Sequence, residues 1–116
     1  MNGGNAKSSA YEAIHAAKAG DFKLADDKLK ESDHFLTEAH NVQTGMLTAE
    51  AQGDHAKVTL LMVHSQDHLM NAITFRDLAG EIVALYKRLA EKEACQAHLS
   101  SKGLFAERSA ICDRKW

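Results

Sequence analysis

His64-Ser65-Gln66-Asp67-His68 concentrates the chemistry of this 116-residue chain. His64, Asp67 and His68 stand at i, i+3 and i+4, positions that share one face of a helix. The surrounding sequence is apolar: Leu60-Leu61-Met62-Val63 precedes and Leu69-Met70 follows. Burying an unpaired ionisable group is costly, so three of them in an apolar helix need a partner or a task. Four readings stand open. In the first, His64 and His68 are core histidines satisfied by hydrogen bonds, with Asp67 as their partner. In the second they are helical zinc ligands at i, i+4. Ser65, however, stands where the glutamate of His-Glu-x-x-His belongs, and a third ligand would have to come from His40 or Glu38. In the third, Asp67 orients a histidine for general acid–base catalysis, though no nucleophile or substrate loop is visible. In the fourth, an imidazole takes a phosphoryl group covalently and passes it on. That chemistry needs one exposed ring nitrogen, a group fixing the other, and donors near the phosphate oxygens. Gln66 and His68 are candidate donors.

The elements that must position these residues are helices. The chain has no proline and is 45% hydrophobic. It is rich in Ala, Leu, Glu and Lys, residues that favour helix. An all-α domain with one modest core follows. Periodicity predicts a first helix from about Ser8 to Ala19, with Tyr11, Ile14 and Ala17 or Lys18 at helical spacing. Gly20 is a natural stop and Asp21 an N-cap for the second helix. That helix runs from about Phe22 to Ala51 on a seam of Phe22, Ala25, Leu29, Ser32, Leu36, Ala39, Gln43 and Met46. The seam is coiled-coil-like, with small and polar members. Gly53-Asp54 repeats the stop-and-start chemistry, and a third helix runs from about Ala56 to beyond Leu89. Gly45 and Gly80 weaken helices two and three without ending them.

Helix three carries two stripes. Leu61, His68, Ala72, Phe75, Ala79, Ile82, Tyr86 and Leu89 form the one expected to face the other helices. Leu60, His64, Asp67, Asn71, Thr74 and Leu78 form the other, wide enough to face a copy of itself in an oligomer. Helix one, beginning almost at Met1, leaves part of its partners' apolar faces uncovered. The pattern decays after Glu93, so residues 93–116 read as an appendix, partly helical or disordered, outside a 1–92 domain.

The formal net charge of −2 gives no support to nucleic-acid or anionic-membrane binding. No apolar run is long enough to span a bilayer and no signal peptide is evident, so a soluble cytoplasmic protein is expected. The two cysteines, Cys95 and Cys112, match no zinc spacing and read as ordinary reduced thiols.

Longer stretches of the sequence carry a resemblance. Ala10-Tyr11-Glu12-Ala13-Ile14 with Ala19-Gly20-Asp21-Phe22, Glu38-Ala39-His40-Asn41-Val42-Gln43-Thr44, Val63-His64-Ser65-Gln66-Asp67-His68-Leu69-Met70 and Leu85-Tyr86-Lys87-Arg88-Leu89 are the segments concerned. Together they resemble the lactose/cellobiose-specific IIA component of the bacterial sugar phosphotransferase system. The similarity covers roughly residues 5 to 92, and the N-terminus is short by a turn or two. The resemblance implies an up-down-up three-helix bundle assembling as a homotrimer around helix three. It implies that His64 accepts phosphate from the phosphocarrier HPr and passes it to a cysteine of IIB, which phosphorylates a β-linked disaccharide imported by the membrane component IIC. Gln66 and His68 would support His64. Asp67 would lie near the threefold axis, where three copies hold one metal ion, taken as Mg2+ because carboxylate oxygens suit it.

Overall fold

The computed structural model describes residues 2–103, and these build three α-helices: α1 (Asn2–Lys18), α2 (Phe22–Ala51) and α3 (Leu60–Ser101). They pack up-down-up, each against the other two, as expected. Gly20 ends α1 with φ +85°, a left-handed conformation that glycine adopts without strain. Asp21 then caps α2, its carboxylate accepting the Leu24 N–H at 3.1 Å. Gly53 closes α2 in the same way, with φ +87°.

Two helix starts differ from the periodicity. Asp54 does not cap α3: residues 54–59 are exposed and non-helical, and Thr59 is the N-cap, its hydroxyl accepting the Met62 N–H at 3.2 Å. The β-branched pair Val58-Thr59 favours extended backbone, which moves the start to Leu60. α1 begins at Asn2 and not near Ser8. Gly3-Gly4 has poor helix propensity, but a β-carbon at Gly3 would stand 3.6 Å from the His68 carbonyl oxygen. Packing of α1 on the α3 backbone compensates for the weak local preference.

The core is built from small side chains. Ala6, Ser9, Ala10, Ala13, Ala16 and Ala17 are the buried residues of α1. Such residues let helix axes approach closely. Ser32 of α2 is fully buried and donates to the Ala6 carbonyl at 2.7 Å, so its hydroxyl is satisfied at the α1–α2 contact. The α2 seam read from the sequence is buried or half-buried at all eight positions. On α3, Ala72 and Ala79 are buried and Phe75, Ile82 and Tyr86 half-buried, as expected. Leu61 and Leu89 of the same stripe are exposed, while Leu69 and Val83, one helical position aside, are buried. Tyr11 also leaves the core: it is 56% exposed and stacks on Phe75, with ring centroids 6.2 Å apart.

Polar ties hold the bundle laterally. Lys28 of α2 pairs with Glu12 of α1 at 2.7 Å and with Glu31 at 2.9 Å. Hydrogen bonds to Glu12 and then Glu31 push the Lys28 ammonium above its ordinary value, and the Lys28 bond holds the Glu31 carboxyl down. Three further ties join α2 to α3: Asp26 to Lys87 at 2.8 Å, Asp33 to Arg76 at 2.7 Å, and Gln43 to Gln66. They follow one another up the antiparallel pair and fix its register.

α3 runs unbroken past Glu93 to Ser101, further than the sequence pattern carries it. Cys95 is half-buried and disulfide-bonded, which corrects its reading as an ordinary thiol: its sulfur is already engaged. The rest of the expected appendix, including Cys112, lies outside the described residues. No helix among the described residues is long and apolar enough to cross a membrane.

Candidate functional site

α1 is much shorter than its partners and ends, at Asn2, level with His68 of α3. The uncovered-face expectation therefore takes concrete form. An open groove of about 790 Å³ continues between α2 and α3 beyond the start of α1, lined by Gly3, Val42, Gln43, Met46, His64 and Gln66 among others. The first turn of α3 forms one wall, and the Thr59 cap sets where that turn begins.

His64 and His68 are brought together. Both are exposed, and their rings meet edge to face with centroids 4.3 Å apart and planes at 71°. The i, i+4 spacing produces this contact directly. Both rings face the groove rather than the closed core, so reading them as buried core histidines no longer applies. Exposure leaves a ring nitrogen accessible to a docking protein, which a covalent phosphoryl carrier requires.

Asp67 lies apart from the two rings, on the exposed side of α3 that neither α1 nor α2 covers. Its carboxylate accepts a hydrogen bond from Asn71 at 3.2 Å, and Asn71 also donates to the Asp67 carbonyl at 3.1 Å. The contact orients the carboxylate but gives it no countercharge. Leu60, Val63, Met70, Leu78, Leu85 and Leu89 are exposed on α3 above and below it.

Gln66 is two residues from His64, and helix geometry turns it to the opposite flank. There it meets α2: Gln43 Nε2 donates to Gln66 Oε1 at 2.5 Å in a half-buried setting. The Gln66 side chain is thus held against α2 while lining the same groove as the two rings. Ser65 turns back on its own helix, donating to the Leu61 carbonyl at 2.8 Å, and is not presented as a nucleophile. His40 is exposed on α2, and Glu38 pairs with Asn2 at 3.1 Å and His34 at 3.4 Å, so neither is the third ligand that a zinc site would need. Among the described residues no three His, Cys, Asp or Glu side chains are grouped to hold a metal ion. The residue that meets Gln66 from α2 is Gln43. Its signal was visible as the one amide in the apolar seam of α2.

Comparison with known proteins extends the likeness over most of the chain. Residues 1–87 match the family model described as the lactose/cellobiose-specific IIA subunit of the phosphotransferase system. The chain is 50% identical over 92 residues to the lichenan-specific phosphotransferase enzyme IIA component of Bacillus subtilis (strain 168), covering 79% of this chain and 84% of that protein. It is 56% identical over 89 residues to the cellobiose-specific EIIA component of Lactococcus lactis subsp. lactis (strain IL1403), covering 77% of each. In three dimensions it is similar to the crystal structure of the cellobiose-specific enzyme IIA from Bacillus anthracis. That match has a TM-score of 0.75 and 44% identity, over 77% of this chain and 82% of the other.

Proposed function

The chain belongs to the lactose/cellobiose-specific IIA family of the phosphotransferase system, a phosphotransferase component that works through phosphohistidine, and from that premise we propose that His64 is the phosphate acceptor. The observation that carries the assignment is the exposed His64–His68 ring pair at the mouth of the groove, on the first turns of α3. In the proposed cycle a ring nitrogen of His64 attacks the phosphorus of phospho-HPr. One P–N bond breaks as another forms, and HPr recovers its imidazole. Transfer to the IIB cysteine then breaks the His64 P–N bond as a P–S bond forms. Neither step needs water or an oxidant. His68, in edge contact with His64, supports it by holding the ring and placing an N–H near the phosphoryl oxygens. Gln66 supports from the other flank, through α2.

Asp67 is assigned a different task. We infer that it belongs to a homotrimer formed around α3 and that three copies together hold one Mg2+. The uncovered apolar face of α3 supports the assembly, since a stripe of this length on a small chain is expected to be covered. The donor chemistry fits: each chain brings one oriented carboxylate, and hard cations take oxygen ligands. One such carboxylate cannot make a site, so the site is complete only between chains. A bound ion would offset the repulsion of three like charges in an apolar setting. The transfer steps do not pass through it.

HPr and the cognate IIB are the proposed partners, with IIC acting through IIB. The proposed location is the cytoplasm. The proposed cargo of the system is a β-linked disaccharide, a class that a relative named for cellobiose supports. Incubation with phosphoenolpyruvate, enzyme I and HPr is expected to place acid-labile, base-stable phosphate on the protein, and His64→Ala is expected to abolish it. Equal labelling of His64→Ala would overturn the assignment.

A further inference from the structure

The three polar ties between α2 and α3 are not alike. Asp26–Lys87 and Asp33–Arg76 are ion pairs in the part of the bundle where α1 also packs. Gln43–Gln66 is neutral, half-buried and the last of the series before the α2–α3 loop. At its level α1 has just begun, and above it the groove is open. Leu60 and Leu61 are 86% and 73% exposed and residues 54–59 are exposed throughout, so in the first turn of α3 the inward apolar packing falls to half-buried Met62. The turn from His64 to His68 is held by the buried Leu69 that follows it, by the Gly3 backbone behind His68, and by the amide pair at Gln66, the polar tie that reaches α2 from this turn.

We propose that Gln43 is a positioning residue for phosphoryl transfer. By donating to Gln66 it fixes the rotation of the α3 turn that presents the His64–His68 pair to a docked partner. The inference rests on His64 being the acceptor. Gln66 lies between His64 and His68 in sequence and on the flank opposite them. A bond anchoring Gln66 to α2 therefore sets the direction in which both rings point. Rotating one helical turn displaces a ring at its rim far more than it displaces the helix axis, and in-line transfer tolerates little misplacement. Gln43 touches neither the phosphoryl group nor its donor, so its loss should slow transfer without weakening docking.

The test measures transfer from 32P-labelled phospho-HPr to the full chain, with kcat and KM determined separately. Gln43→Leu is expected to lower kcat about tenfold while KM stays near the wild-type value. Gln43→Glu is expected to restore most of the rate, because the Gln66 amide can turn and donate to the carboxylate. The double variant Gln43→Leu/Gln66→Leu leaves no amide unpaired and so guards against a folding failure. It is expected to be as slow as Gln43→Leu alone. A wild-type kcat in Gln43→Leu, or equal losses in Gln43→Leu and Gln43→Glu, would overturn the positioning role. Label on His64→Ala would instead overturn the acceptor assignment on which it rests.

Discussion

At the residue scale the site is a division of labour along five positions of one helix. His64 and His68 share a flank and touch, Asp67 occupies the uncovered face, and Gln66 is turned to α2. His68 is the partner whose role separates from His64 by experiment. If it holds the ring and donates to the phosphoryl oxygens, His68→Ala should keep its label on His64 but acquire it about a hundredfold more slowly, the usual cost of losing one oxyanion donor. Label that survives in His64→Ala and vanishes in His68→Ala would exchange the two roles. The pairing of the rings was legible in the sequence, because i, i+4 spacing on a helix makes the two side chains neighbours. The placement of Gln66 was not. Motif reading groups residues by proximity in sequence, whereas a 100° step per residue sends i and i+2 to opposite flanks. Only the α2 partner Gln43 shows where that flank leads.

At the element scale, helix ends and small residues determine what the site looks like. The α2 seam was readable because its three-four spacing is long and regular over eight positions. α1 was not, since its buried face is almost entirely alanine, and alanine carries no contrast between inside and outside. Tyr11, the largest side chain of α1, stands outside that alanine face and stacks on Phe75. Two glycines, one inside α2 and one just past its end, make opposite claims. Gly45 is helical, exposed and has nothing within 4 Å of where a β-carbon would stand, so it contributes only backbone entropy. Gly53 holds φ +87° in the α2–α3 turn, where an L side chain is strained. Gly45→Ala should therefore raise stability by about 1 kcal/mol, and Gly53→Ala should lower it by a similar amount. Thermal unfolding followed by helical circular dichroism measures both. Equal effects of one sign would show that φ does not govern the Gly53 turn.

At the scale of the whole molecule the described helices form an elongated bundle with one long face of α3 uncovered. α1 and α2 cover the side of α3 that carries Leu69, Ala72, Ala79 and Val83, and leave exposed the side that carries Leu60, Val63, Met70, Leu78, Leu85 and Leu89. In the proposed homotrimer this face is the one that the copies would cover. If three copies meet along it, Asp67 is a carboxylate there that needs a countercharge, and two substitutions separate packing from charge. Leu78→Glu places a new carboxylate among apolar neighbours with no ion to offset it, and should convert a trimeric mass to a monomeric one at micromolar concentration. Its unfolding temperature should also stop depending on protein concentration. Asp67→Leu replaces the carboxylate with apolar contact, so it should keep the trimeric mass while abolishing bound divalent metal measured by elemental analysis. A wild-type chain that sediments as a monomer would remove the interface altogether. A trimer whose metal content is unchanged by Asp67→Leu would keep the interface and move the ion elsewhere. The two measurements fail independently, because apolar closure of α3 and charge balance at Asp67 rest on different residues of the same face.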